Sequence, residues 1–137
     1  MRKVAVFDTN ILFSAHGWKG KPFQCIELAR NGVIEAVTCR EVLDELTDKL
    51  QAKLGFNSQQ ALDTIADLLT FVRLVAVSGT VKVVAADPDD DKVLECAAVA
   101  GATHIVTGDR RHLLPLGNYQ GIPIVSAADF LTSITAP

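Results

Sequence analysis

The sequence predicts an α/β fold with a mainly parallel central sheet, and three observations carry that expectation. The short apolar runs Val4-Ala5-Val6-Phe7, Ile34 to Val37 and His104-Ile105-Val106-Thr107 have the length and continuity of strands covered on both faces. Longer segments with helical apolar spacing separate them, and strands that alternate with helices require parallel crossovers. Two of the strands end on a carboxylate, Asp8 and Asp109. Sheets of this class gather ligands at the carboxyl ends of their strands.

The elements follow in order. After the first strand, Asp8-Thr9-Asn10 form its polar C-terminal edge. Pro22 to Arg30 reads as a helix stopped by Asn31-Gly32. Ile34 to Val37 is a second strand, after which Thr38 is expected to cap a helix from Arg40 to about Leu54. Val42, Leu43, Leu46 and Leu50 form its apolar stripe. Gly55 breaks that helix, and Asn57 with Gln60 makes a capping-box start for a helix to about Phe71. Val72 to Val77 is β-branched and strand-like. A helix opening in the acidic stretch DPDDD at 87–91 closes at Gly101, before the strand at 104–107. A helical turn at Arg111 to Leu114, a strand at Ile124-Val125 and a helix from Ser126 to about Ile134 complete the chain.

Composition narrows the class. At 137 residues, 49% hydrophobic and 21% charged, the chain has one domain's length and a globular balance. No apolar run approaches the roughly 20 residues of a membrane span, and Asp8 and Asn10 interrupt the only stretch with signal-peptide character. Cys25, Cys39 and Cys96 are odd in number and lack a CxxC pair, so neither a disulfide framework nor a zinc knuckle is expected. These features point to a reduced, cytoplasmic protein without a membrane segment. The net charge of −3 does not by itself announce nucleic-acid binding.

Four aspartates fall within residues 87–91. Like charges about 4 Å apart repel by roughly 4 kcal/mol at the effective dielectric of a protein surface, so something must offset them. A helix start accounts for much of the cluster, with Asp87 as N-cap, Pro88 at the first position, and Asp89 and Asp90 in the first turn. A calcium loop does not, because its sixth and twelfth positions would be Lys92 and Ala98 in place of Gly and Glu. The remaining reading joins distant segments: Asp8, Asp109, an acid from the cluster, and Glu45 beside the apolar stripe of its helix. Four convergent carboxylates without matching basic partners are what a hard divalent cation needs. Helix phase sets Asp90 on the face of Val93, Leu94 and Ala97, and Asp91 nearer Glu95.

Three motifs in this order, VFDTNILFSA at 6–15, EVLDEL at 41–46 and DPDDDKVLECAAVAGATHIVTGDRRHLL at 87–114, resemble the PIN-domain family. They resemble in particular the PIN toxins of prokaryotic toxin–antitoxin pairs. The resemblance spans nearly the whole chain and implies a single PIN-like domain over residues 1–137. It further implies a divalent-metal-dependent ribonuclease, with Mg²⁺ or Mn²⁺ as cofactor, an RNA substrate, a cognate antitoxin as partner and a homodimeric state. Residue by residue, it makes Asp8 the central ligand, Glu45 and a third acid the groups that hold metal and water, and Asp109 the outer ligand. The third acid is Asp91 by its spacing from Asp109 and Asp90 by helix phase. Thr9, Asn10 and Thr107 would orient the carboxylates. Arg110, Arg111 and His112, with Lys19 and Lys21, would hold RNA phosphates. Setting aside the four site acids turns the charge of −3 into +1, and two divalent cations would balance those four.

Two rival functions are weighed against this one. VFDTN also resembles the nucleophile strand of haloacid-dehalogenase phosphatases, which need a second aspartate where this chain has Asn10. A PIN fold that only docks a partner would more readily have lost one of its acids, and here all four positions are filled.

Overall fold

A computed structural model of the chain describes residues 2–79 and 88–135. In order, β1 (Val4–Phe7) is followed by α1 (Thr9–Gly17), α2 (Lys21–Arg30), β2 (Glu35–Cys39), α3 (Arg40–Leu54) and α4 (Ser58–Leu69). Then come β3 (Val72–Val75), α5 (Pro88–Ala100), β4 (His104–Val106), a 3-10 turn at Leu114–Leu116, β5 (Asn118–Tyr119), β6 (Ile122–Val125) and α6 (Ala127–Thr135).

Among the described residues, six strands form one sheet in the order β3-β2-β1-β4-β6-β5. The pairs along β3, β2, β1, β4 and β6 are parallel, and β5 runs antiparallel against β6. The expected α/β class with a mainly parallel sheet is therefore what the chain adopts. From β1 the chain moves outward through β2 to β3, then returns to β4 on the other side of β1. Right-handed crossovers place the helices of these two excursions on opposite faces. The α5 helix packs across β1, β2, β3 and β4, while α2 packs on α1 and α6. The direction of progression reverses between β1 and β4, which leaves a crevice at their carboxyl ends.

Sequence dictates most of this locally. Ala5, Val6 and Phe7 of β1 are buried, and Phe7 meets the Phe130 ring of α6 edge-on at 6.1 Å. In α3 the stripe Val42, Leu43, Leu46 and Leu50 is buried as its spacing requires, and Gly55 closes the helix in the left-handed region at φ 69°. The Asn57–Gln60 capping box at the start of α4 is formed in both directions. The three cysteines are free and buried, and the Cys39 and Cys96 thiols are hydrogen-bonded between β2 and α5.

Some expectations are corrected. The segment after Asp8, for which the sequence predicts no element, is a helix, α1. Five of its nine residues are buried, so no polar face marks its period. Thr38 does not cap α3. It is the fourth residue of β2 and fully buried, and Cys39 takes the cap position without a side-chain bond. The turn expected at Arg111 to Leu114 becomes a hydrogen-bonded turn followed by 3-10 geometry at Leu114–Leu116, where Pro115 sits. The β5 strand, only two residues long, was not anticipated. The expected N-cap, Asp87, lies outside the described residues.

Candidate active site

The crevice between β1 and β4 holds Asp8 and Asp109. Asp8 continues the β1 ladder, its N–H donating to Val106 O at 3.1 Å. Its side chain then caps α1, with Oδ1 accepting the Ile11 N–H at 2.9 Å. Its Oδ2 accepts the Thr107 hydroxyl, and that same hydroxyl accepts the Asp109 N–H at 2.9 Å. One threonine at the end of β4 thus joins the two acids. Asp109 caps the turn after it, accepting the N–H groups of Arg111 at 3.0 Å and of His112 and Leu113 at 3.2 Å. Leu113 is fully buried and anchors that turn in the core.

Glu45 arrives from α3 and is half-buried. It accepts a hydrogen bond from Thr9 and forms an ion pair of 2.7 Å with Lys92 of α5. Asn10 is exposed, and its amide oxygen accepts from Lys49. The expectation of acids without basic partners is thereby corrected: Lys92 and Lys49 both reach the cluster. Sequence reasoning missed them because a lysine beside several aspartates reads as ordinary charge compensation. For Lys49, the i,i+4 step from Glu45 on one face of α3 was the available signal.

The two candidates for the third acid go to different places. Asp90 lies beside Asp109, with its Oδ2 3.8 Å from His112 Nδ1. Ligand atoms of Asp90, Asp109 and His112 all lie within 4.8 Å of one another. Asp91 is buried on the face of α5 that carries Glu95 one turn later. Glu95 binds the strand-end segment, accepting the Ser78 and Gly79 N–H groups and the Ser78 hydroxyl. Among the described residues the structure therefore groups Asp90, not Asp91, with Asp109. His112, expected with Arg110 and Arg111 at the RNA backbone, instead stands beside the two acids. Lys19, Lys21, Arg110 and Arg111 are exposed.

Environment divides the carboxyls. Burial pushes the Asp8 carboxyl above its ordinary value, with help from the charge of Asp109, and outweighs the Thr107 and Ile11 hydrogen bonds. Burial also opposes ionisation at Asp109, but its backbone N–H bonds and the bond to Asp90 overcome it and hold its pKa down. At Glu45 burial is likewise overcome, by Lys92, Thr9 and Lys49, and its pKa is lowered. A divalent cation would supply the positive charge that buried Asp8 lacks. Among the described residues, the group whose ligand atoms are close enough to share one ion is Asp90, Asp109 and His112; Asp8 is tied to it through Thr107, and Glu45 is bonded to Thr9 and Lys92.

A PIN-domain family profile matches residues 4–111. No curated protein matches the sequence. Among solved structures, PAE2754 from Pyrobaculum aerophilum superposes with a TM-score of 0.67 at 14% identity, covering 100% of this chain and 98% of that one. VapBC2 from Rickettsia felis, solved bound to a DNA fragment from its promoter, gives 0.62 at 15% identity, covering 90% and 98%. Mycobacterium tuberculosis VapC20, a sarcin-ricin loop cleaving toxin, gives 0.59 at 14% identity, covering 87% and 98%. These likenesses are of fold, and the profile match spans most of the sequence, including both strand-end aspartates: the chain belongs to the PIN-domain family.

Proposed function

We propose that the chain is a divalent-metal-dependent endoribonuclease, acting as one catalytic domain over residues 1–137 and serving as the toxin of a toxin–antitoxin pair. The observation that carries this reading is the threonine-bridged pair Asp8–Thr107–Asp109 at the sheet's switch point, with Asp90 next to Asp109 and Glu45 bonded to Thr9, the neighbour of Asp8. Asp8, Glu45, Asp90 and Asp109 would hold Mg²⁺ or Mn²⁺. When bound, such an ion supplies Lewis-acid charge at a scissile phosphodiester. The chain's own residues do the rest. Thr107 and the Ile11 N–H fix the direction of Asp8, Thr9 and Lys92 fix Glu45, and Lys49 holds Asn10 at the rim. The exposed Arg110, Arg111, Lys19 and Lys21 are available to the RNA backbone.

The toxin assignment draws support from the resemblance of the fold to VapBC2 and VapC20. With it come a cognate antitoxin, a homodimeric state and a cytoplasmic location as parts of the same proposal. No helix among the described residues is long and apolar enough to cross a membrane. The test is cleavage of structured and single-stranded RNA by purified protein with Mn²⁺, with Mg²⁺ and with EDTA. Cleavage that requires a metal and is lost in Asp8→Asn is expected. Metal-independent cleavage, or turnover of phosphomonoesters with no action on RNA, would overturn the assignment.

A further inference from the structure

We infer that His112 is a nitrogen ligand of this centre and biases it toward transition-metal ions over Mg²⁺. The inference rests on the metal-dependent reading above and deepens it. His112 Nδ1 lies 3.6 Å from Asp109 Oδ2 and 3.8 Å from Asp90 Oδ2. Both separations are too long for a good hydrogen bond. They suit donors that share one ion, since two atoms each about 2.1 Å from a cation lie about 3.0 Å apart at a right angle and about 3.6 Å apart at 120°.

The ring is held in place by the backbone that Asp109 organises. Asp109 accepts the His112 N–H, and the flanking N–H groups of Arg111 and Leu113 are bound by the same carboxylate. Leu113 in the core keeps the turn from lifting away. The His112 side chain is 29% exposed, so an ion could reach it from solvent. The acid that would share an ion with the imidazole therefore also positions it.

The donor chemistry gives the consequence. Carboxylates alone serve Mg²⁺ and Mn²⁺ alike, whereas an imidazole strengthens binding through the series Mn²⁺, Co²⁺, Ni²⁺ and adds little for Mg²⁺. The residue after Arg111 would then decide which ion fills a site whose other donors are indifferent.

Calorimetric titration of Mg²⁺, Mn²⁺ and Co²⁺ into the wild type and His112→Ala tests this, beside pulsed electron paramagnetic resonance of the Mn²⁺-loaded proteins. Loss of the ligand should weaken Co²⁺ binding by about tenfold or more and Mg²⁺ binding by less than about threefold. The wild type should show a directly bonded nitrogen coupled to Mn²⁺ that the variant lacks. His112→Gln, closer in size, carries the same test if the alanine variant does not fold. Equal losses for Mg²⁺ and Co²⁺, or no nitrogen coupling in a wild type that binds Mn²⁺, would make the ring an electrostatic neighbour only and overturn the inference. A wild type that binds none of the three ions would instead defeat the metal-dependent reading and this inference with it.

Discussion

The ends of β1 and β4 lie side by side, and each delivers an aspartate that caps the segment after it. Asp8 is 4% exposed and receives one backbone N–H and one hydroxyl, and burial drives its pKa up. Asp109 sits nearer solvent and receives three backbone N–H groups, and its pKa falls. Position in the sheet is nearly the same, so the count of donors and the depth of burial set the charge. The deeper acid is the one that most needs a cation, and the shallower one is already stabilised as an anion by the fold.

The largest expected effect separates the two acids by sign. Without metal, the raised value at Asp8 means a contribution to stability that is complete below the ordinary 3.8 and lost as pH rises through the folded value. Asp8→Asn should therefore abolish metal-dependent cleavage yet raise the neutral-pH melting temperature in EDTA. The lowered value at Asp109 gives stability present above 3.8 and lost as pH falls through the folded value. Asp109→Ala should also abolish cleavage, but cost about 0.5–2 kcal/mol as a lost cap. Thermal unfolding from acid to neutral pH would show whether the two melting temperatures move in opposite directions.

Next in size is the third acid. Asp90→Asn should weaken Mn²⁺ binding by about 10- to 100-fold and remove most turnover. Asp91→Asn should act on stability through the Glu95 face and leave the metal-induced rise in melting temperature in place. The reverse pattern would return the assignment to Asp91. Thr107→Val then removes the bridge itself: a loss of about 1–3 kcal/mol is expected from the stranded Asp8 oxygen and Asp109 N–H, with Thr107→Ser recovering most of it. Chemical denaturation of both variants checks this. The smallest effect belongs to Lys92→Met, which should cost about 1–2 kcal/mol without metal and less with saturating Mn²⁺. Equal losses in both conditions would show that Lys92 serves only the fold.

The rim was readable because an apolar run that ends on an acid is a local signal, and it occurs at both Asp8 and Asp109. The Asn57 capping box was readable for the same reason. Less of α1 and α5 could be read, since helical period is informative only when one face is polar. In α5, Asp91, Val93, Leu94, Glu95, Cys96 and Ala97 are all buried; helix phase pointed to Asp90 and the spacing from Asp109 to Asp91, and only the tertiary neighbours set Asp90 beside Asp109. Lys92 and His112 became visible only through tertiary neighbours from α3 and from the turn after β4. The β5 strand is too short to have a period.

Thr107 has a further consequence. Its hydroxyl carries one proton, directed at Asp8, and takes the Asp109 N–H on a lone pair, so its torsion is fixed from both sides. Asp8 is in turn clamped at both oxygens, by Ile11 on one and Thr107 on the other. Immobilising a free side chain when a ligand is captured costs about 0.5–1.5 kcal/mol of rotamer entropy. For Asp8 that loss falls at the moment β1, α1 and β4 come together, long before any ion arrives. Capture at this carboxylate then becomes a matter of exchanging water, with no side chain left to order.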